Sequence, residues 1–262
     1  MMPYFQYDPI QINKFAQLHN GETVIFCKTD YLLEEFKNIE GRKQDIVLIS
    51  GNSDYCVTED IAARAPANIK KWFCQNRLSS SPLLESLPLG IENHLDCIRR
   101  GHGKGWEHAI EKYKVSRDPP HAIPTKLIYG NFAIWTNPIH RRQIKQIALD
   151  SSFMTWKEPN LTYPQFVNEI LDHEAILCPQ GNGAGDNHRI YESLYLGRIP
   201  ITFNKPQNDF LHKQFPTVLV ENVRQLQDKE WLVDQIENAK KRFSHHLLDF
   251  AYWKDLIMEW IK

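Results

Sequence analysis

The segment "CPQGNGAGDNHRIYESLYLGRIPIT", from Cys178 to Thr202, contains the pattern that decides the fold. The short apolar run "EAILCP" at its start predicts a buried strand closed by Pro179. "DNHRIYESLYLG" predicts a helix, because Asp186 or Asn187 can accept hydrogen bonds from the first free amides and Gly197 suits the left-handed residue after the last turn. "IPITF" predicts another strand. The segment therefore predicts a strand, a glycine turn, a helix and a strand.

The glycine turn is the candidate ligand site. Gly181, Gly183 and Gly185 let the backbone come close to a ligand, and the helix that follows presents unpaired amides and the positive end of its dipole. Such a helix start favours phosphate or carboxylate groups. Arg189 and Glu192 share one helical face near the turn, so the cation can bind a phosphate while the carboxylate accepts hydrogen bonds from sugar hydroxyls. The pattern indicates a sugar-nucleotide.

Two other phosphate-binding motifs do not match the sequence of this turn. The spacing is G-x-G-x-G, whereas the dinucleotide fingerprint requires G-x-G-x-x-G after a first strand, with an acidic residue further on. A phosphate loop of the NTPase type requires Gly-Lys-Ser or Gly-Lys-Thr, which the chain lacks. One alternative stays open: the glycines form a tight connection, and Arg189 and Glu192 pair with each other on a solvated face.

Composition describes an ordinary soluble globular protein. The chain has 262 residues, of which 42% are hydrophobic and 24% charged, and a net charge of -1 gives no electrostatic case for a nucleic-acid partner. The five cysteines form no C-x-x-C pair and no signal peptide is recognisable, so we expect a reduced, cytoplasmic protein. No apolar run reaches the length of a membrane span, so membrane contact is expected to be peripheral at most. The scattered histidines predict no metal site.

Strands and helices alternate along both halves of the chain. "TKLIYGNFAI" at 125–134 predicts a strand, "LESLPLGIEN" at 84–93 a loop, and "HLLDFAYWKDLIMEWI" at 246–261 a helix. This order predicts an α/β fold in which parallel sheets carry helices on both faces and bind ligands at the carboxyl ends of their strands. Pro119 and Pro120 mark a boundary between the halves. We therefore expect an N-terminal acceptor-side domain at residues 1–120 and a C-terminal donor-binding domain at residues 121–262.

Three segments carry a resemblance to a known family. "ILCPQGNGAGDNHRIYESLYLGRIPI" resembles the nucleotide-sugar segment of exostosin-like glycosyltransferases, in which a Gly turn is followed by Arg, a helix bearing Glu, and Gly-x-Ile-Pro-Val. "YGNFAIWTNPIHR" is similar to an Asn-Phe-x-x-x-Thr-Asn-Pro-x-x-Arg segment of related proteins. "SGNSDYCVTED", "WFCQN" and "LPLGIEN" resemble their acceptor-side portion. Together these segments cover roughly residues 45 to 205.

The resemblance implies two Rossmann-like domains facing each other across a cleft, the glycosyltransferase-B architecture. It also implies a hexosyl- or pentosyltransferase that moves a sugar from a UDP- or GDP-linked donor to a glycan acceptor, with no cofactor. From the resemblance and from the turn we expect the donor to be bound by Asn131, Thr136, Asn137, Arg141, Gly181, Gly183, Gly185, Asp186, Arg189 and Glu192. The chain lacks an Asp-x-Asp motif, which favours metal-independent transfer in which arginines and helix-start amides stabilise the leaving diphosphate.

An inverting transfer requires a base that removes the proton of the acceptor hydroxyl. Asp54 is the first candidate, because it lies in a turn directly after a predicted strand; Glu92 and His94 follow. Each is also a plausible turn former or helix cap. Trp72, Phe73 and Trp106 are candidates for stacking on sugar rings, although aromatic residues in a strand more often belong to the core.

Two functions from other classes remain open at this point. One is a non-catalytic protein that binds a sugar-nucleotide or a glycan. The other is a phosphatase-like or kinase-like α/β enzyme that uses the glycine turn to hold phosphate.

Overall fold

The fold class expected from the sequence is confirmed. The structure, a computed structural model, describes residues 5–94, 108–181, 186–205 and 208–261. Strands and helices alternate in two Rossmann-like α/β parts, each built on a parallel sheet. The two sheets lie on either side of residue 120, and the division into domains at that residue stays a prediction.

The first sheet has four parallel strands in the order of the chain. They are β1 (Val24–Lys28), β2 (Ile46–Gly51), β3 (Ile69–Cys74) and β4 (Leu84–Ser86). All six residues of β2 are buried, as expected for a central strand covered on both faces. Trp72 and Phe73 on β3 are completely buried, so they belong to the core and do not stack on sugars, and Trp106 lies outside the described residues.

The second sheet has five parallel strands in the order β6-β5-β7-β8-β9. They are β5 (Lys126–Gly130), β6 (Met154–Trp156), β7 (His173–Leu177), β8 (Ile199–Phe203) and β9 (Val218–Val220). The chain runs outward from β5 to β6 and then returns to β7 on the other side of β5. The carboxyl ends of β5 and β7 therefore form the topological switch point, where open α/β sheets bind ligands.

Helices connect the strands. They are α1 (Ile12–Ala16), α2 (Leu32–Glu40), α3 (Glu59–Ala62), α4 (Ala109–Arg117), α5 (Pro138–Asp150), α6 (Tyr163–Leu171), α7 (His188–Tyr195), α8 (Asn208–Gln214), α9 (Lys229–Lys240) and α10 (Phe250–Met258). Short 3-10 helices lie at Thr29–Tyr31, Val223–Gln227, His245–Leu248 and Glu259–Ile261. Among the described residues, no helix is both long and apolar enough to cross a membrane.

Several element boundaries differ from the sequence-based expectation. The segment that contains β4 was expected to be a loop, and β6 was not predicted, because strands of three residues show no clear alternation. The strand expected over residues 125–134 ends at Gly130. A single helix was expected over residues 246–261, but α10 begins only at Phe250, where the Asp249 side chain accepts a 2.9 Å hydrogen bond from Ala251 N.

The two parts share one core and join at the carboxyl ends of their sheets. A single hydrophobic cluster contains Ile49 of the first sheet and Ile176 of the second. The Tyr195 hydroxyl on α7 accepts a hydrogen bond from Ile10 N at 2.8 Å and donates one to Leu248 O at 2.6 Å. These contacts fix α7, the helix that follows the glycine turn, against both ends of the chain.

Candidate functional site

The switch point carries the first residues of the candidate site. Asn131 directly follows β5. Pro179, Gln180 and Gly181 follow β7 after one intervening residue, Cys178. Asn131 is buried, and its side-chain amide donates a 3.0 Å hydrogen bond to Glu158 O, which holds the loops after β5 and β6 together. Gly183 and Gly185 lie outside the described residues.

Arg141, on the first turn of α5, fixes the start of the glycine turn. Its Nε donates to Gln180 O at 2.9 Å, its Nη2 to Pro179 O at 3.0 Å and its Nη1 to Ala133 O at 2.6 Å. A Cβ atom at Gly181 would lie 3.3 Å from Nη2, so glycine allows this close approach. Arg141 is only 9% exposed, which rules out the solvated surface charge that is common for a helical arginine.

The charge of Arg141 is not compensated by any carboxylate in the described part of the chain. Its three hydrogen bonds go to neutral backbone carbonyls, and it forms no ion pair there. Burial, together with the positive charge of Arg189, lowers the pKa of Arg141 to about 10. Five N–H groups are available on a guanidinium and three are used, so two remain for an anion. A buried cation without a counter-ion is costly, and an anionic ligand would offset that cost.

Arg189 lies on the first turn of α7, where it was expected to face the glycine turn. Its Nε donates to Glu192 Oε2 at 3.0 Å and its Nη1 donates to Asn131 O at 2.7 Å. The guanidinium carbon also lies over the ring of Phe166 on α6. Within the described residues Nη2 makes no hydrogen bond, so this edge of the guanidinium can accept a ligand. The two residues do pair with each other, but not on a solvated face, because Glu192 is only 3% exposed.

Both oxygens of Glu192 are held by cations. Oε2 pairs with Arg189, and Oε1 lies 2.8 Å from Nζ of Lys112 on α4. Burial alone would raise the pKa of Glu192, but Lys112 and Arg189 outweigh it and hold the pKa below its ordinary value. Glu192 is therefore ionised, and it reaches a sugar hydroxyl only through lone pairs that these cations do not use.

Lys112 also connects the site to the first part of the chain. Its Nζ lies 2.9 Å from Oε2 of Glu92, in the loop after β4. Burial alone would lower the pKa of Lys112, but Glu192 and Glu92 together raise it above its ordinary value. The predicted residues Glu92, Glu192 and Arg189 are thus brought into one network by a lysine.

Asp186 joins the start of α7 to the same loop. Its Oδ2 accepts hydrogen bonds from Leu89 N at 3.0 Å and from the Tyr191 hydroxyl at 2.8 Å. Its Oδ1 is buried without a hydrogen-bond partner among the described residues, and burial raises the pKa of Asp186 to about 7. Asn187 is the N-cap residue of α7, but its side chain makes no capping hydrogen bond. The first amides of α7 therefore lack the side-chain cap expected from the sequence.

The ring of His94 is oriented by two neighbours. It stacks on Tyr113 of α4 with ring centroids 4.0 Å apart, and its Nδ1 lies 3.0 Å from Gln11 Oε1. The Gln11 amide nitrogen donates to Glu92 O, so its Oε1 must accept and Nδ1 of His94 must carry the proton. Nε2 then holds a lone pair. Burial, with the charge of Lys14, lowers the pKa of His94, which favours this neutral form.

Among the described residues, the other predicted residues make no hydrogen bond or ion pair with Glu92, Lys112, Glu192 or Arg189. Asp54 is exposed in the turn after β2. The Thr136 hydroxyl donates a long, 3.5 Å hydrogen bond to Ala133 O. Asn137, the N-cap residue of α5, lines a cavity of about 310 Å³ at the ends of β8 and β9. Arg141, Arg189 and Glu192 are not among the residues that line that cavity.

Other potentially reactive groups do not add chemistry to the site. Burial raises the pKa of the Cys178 thiol, at the end of β7, to about 12, so this thiol is protonated near neutral pH and acts as a packing group. In the described ranges no three histidine, cysteine, aspartate or glutamate side chains group in a way that could hold a metal ion.

Sequence reasoning missed three residues that organise the site: Lys112, Phe166 and Gln11. Lys112 lies on a helix with a weak apolar pattern, and nothing local shows that it meets Glu192. Phe166 carries an ordinary core signal within a capped helix. The sequence separation between partners explains why pattern analysis did not find them.

Comparisons with known proteins give limited information. No protein-family model matches the sequence, and no curated protein matches it. Among solved structures, 15 chains match, and one of these is titled spinosyn rhamnosyltransferase SpnG. The alignment covers 95% of this chain and 76% of that one, with 9% sequence identity and a TM-score of 0.47. The two parallel sheets define the fold without this match.

Proposed function

We propose that this protein is a glycosyltransferase that uses a nucleoside-diphosphate sugar, UDP- or GDP-linked, and a glycan acceptor. The observation that carries the proposal is the buried guanidinium of Arg141, which has no carboxylate partner in the described part of the chain and holds the glycine turn at the switch point. Arg189 adds a second cation with an unused edge. Two convergent arginines beside uncapped helix amides suit a diphosphate.

The proposed reaction is an inverting, metal-independent transfer. The acceptor hydroxyl oxygen forms a bond to the anomeric carbon while the bond from that carbon to the diphosphate oxygen breaks. The hydroxyl proton passes to Nε2 of His94, and the negative charge stays on the diphosphate, where Arg141 and Arg189 stabilise it. Glu92 is a weaker candidate for the base, since it is paired with Lys112.

A ligand panel tests the binding half of the proposal. UDP, GDP and their sugars are compared with ATP and NAD by thermal shift and by calorimetry, because a ligand that binds only the folded state raises the unfolding temperature. We expect stabilisation by one nucleoside diphosphate and its sugars. Stabilisation by ATP or NAD alone would support the kinase-like or phosphatase-like alternative instead.

The variant Arg141→Met tests the residue that carries the proposal. We expect it to weaken nucleoside-diphosphate binding by at least about tenfold, the effect of losing one charged contact in a desolvated site. Arg142→Met, one residue further on the same helix and exposed, is the matched control and should leave binding unchanged. Equal affinities of the two variants would contradict the proposal.

An activity measurement separates an enzyme from a binding protein. Release of the nucleoside diphosphate from the bound nucleotide-sugar is followed with and without glycan acceptors. We expect slow release to water that an acceptor accelerates. Tight binding without any release would favour the non-catalytic alternative.

A further inference from the structure

Lys112 occupies an unusual position between the two parts of the molecule. It projects from α4, which follows the first sheet in the chain, and its side chain is only 15% exposed. Its ammonium group pairs with Glu92 from the loop after β4 and with Glu192 on α7. It thereby links the loop after the first sheet to the Arg189–Glu192 pair.

The geometry of Glu192 depends on Lys112. Each Glu192 oxygen has one cationic partner, so the two ion pairs together fix the orientation of the carboxylate. Arg189 uses Nε for Glu192 and Nη1 for Asn131, which leaves Nη2 as the edge that a ligand can meet. Without Lys112, Glu192 Oε1 would be free to turn toward Nη2 and form a two-pronged pair with Arg189, which is the preferred geometry of arginine with carboxylates.

The charge of the network points to the same role. Two cations, Lys112 and Arg189, and two anions, Glu92 and Glu192, cancel each other. Loss of Lys112 would leave one net negative charge close to Arg189, in a buried place where screening by water is weak. Such a charge repels a diphosphate.

We propose that Lys112 is a positioning residue of the donor site, which keeps Glu192 away from the free edge of Arg189 and offsets the charge of Glu92. This inference rests on the proposed function, because it concerns the same diphosphate site. Lys112 itself is not expected to touch the ligand.

The test uses the full chain with UDP and GDP as probes. Lys112→Met removes the charge and keeps most of the side-chain volume, and we expect it to weaken binding of the preferred diphosphate on the order of tenfold. Lys71→Met is the matched control. Lys71 has a side chain that is 12% exposed and pairs with Glu85 in the first sheet. It should reduce stability without changing affinity.

A second variant distinguishes a charge effect from a packing effect. Glu92→Gln in the Lys112→Met background removes one unpaired negative charge but restores no contact. We expect it to recover a substantial part of the lost affinity, which a purely structural role of Lys112 would not produce.

The outcomes separate this inference from the proposed function. If the wild-type chain binds neither UDP nor GDP, both are wrong. If it binds one of them and Lys112→Met binds equally well, or if Glu92→Gln recovers nothing, the role assigned to Lys112 is wrong and the proposed function stands.

Discussion

The guanidinium carbon of Arg189 lies 4.1 Å from the centroid of the Phe166 ring. Stacking on an aromatic face keeps the guanidinium plane fixed while its edges remain available for hydrogen bonds. Phe166 on α6 thus supports one face of the Arg189 guanidinium. Glu192 and Asn131 accept hydrogen bonds from two nitrogens of that guanidinium. A core aromatic residue thereby contributes to the candidate site.

The variant Phe166→Leu tests this contact. Leucine keeps apolar volume but removes the ring face, so we expect diphosphate affinity to fall about three- to tenfold, in line with a cation–π contact of about 1 kcal/mol. Phe36→Leu is the control, because Phe36 is another buried phenylalanine and packs edge-to-face against Trp72 in the first part. Calorimetric titration of both variants gives the answer. An unchanged affinity of Phe166→Leu would remove Phe166 from the site.

Local sequence signals predicted what lies within one element. The helix α7 was predicted over residues 186–197 with Asp186 or Asn187 at its start, and the structure places its N-cap at Asn187 and a positive φ of 70° at Gly197. The pairing of Arg189 with Glu192 was also foreseen as an alternative, because residues three apart on a helix are neighbours. These features depend only on nearby residues.

Tertiary contacts determine the features that the sequence did not predict. The strands β4 and β6 are defined by their partners, since Leu84 pairs with Trp72 and Trp156 with Gly130. Three residues are too few for a periodic signal. Asp186 was one of two residues expected to cap α7, but contacts between the two parts give its carboxylate Leu89 N and the Tyr191 hydroxyl as partners instead. No local pattern contains that information.

The glycine at position 90 is required by its surroundings. Gly90 has a φ of +72°, and a Cβ atom there would lie 2.2 Å from Ile10 O. Its own carbonyl accepts a hydrogen bond from the His188 ring at 2.8 Å, which links this loop to the start of α7. A side chain at this position must displace backbone that supports the site.

We therefore expect Gly90→Ala to lower the free energy of unfolding by about 3 kcal/mol or more, from backbone strain plus the clash. Gly197→Ala is a matched control, since its φ is +70° and no atom lies within 4 Å of its added Cβ. That change should cost only about 1 kcal/mol, the strain of a left-handed residue. Urea unfolding of both variants measures the difference. Equal losses would show that the contact with Ile10 relaxes freely.

The buried carboxylate of Asp186 predicts a pH-dependent stability. Because burial raises its pKa to about 7, the folded chain holds this proton more tightly than the unfolded chain, in which the value is near 3.8. Between about pH 4 and about pH 7 the folded state therefore binds more protons, and the contribution of Asp186 to stability falls as the pH rises. Above about pH 7 the contribution of the Asp186 proton to stability is fully lost, because the carboxylate is then ionised in both states.

Asp186→Asn removes this titration but keeps an oxygen for Leu89 N and Tyr191. We expect the variant to gain stability relative to the wild type by roughly 2 kcal/mol or more between pH 5 and pH 8. Urea unfolding at both pH values checks this. Asp60→Asn, at an exposed position on α3, is the control. A constant difference between wild type and Asp186→Asn would contradict the prediction.

His94 and Asp54 are competing candidates for the base, and they lie in different surroundings: the His94 ring is held by neighbours, whereas Asp54 is exposed. His94 has a fixed ring, a proton assigned to Nδ1 by Gln11 and a lowered pKa, so Nε2 accepts a proton near neutral pH. We expect His94→Gln to slow nucleoside-diphosphate release from the bound donor by about 100-fold or more with little change in donor affinity. Asp54→Asn should stay close to wild type, and the acid limb of the wild-type pH profile should lie below 6.5, the ordinary histidine pKa. The reverse pattern, with Asp54→Asn inactive and His94→Gln active, would assign the base to Asp54.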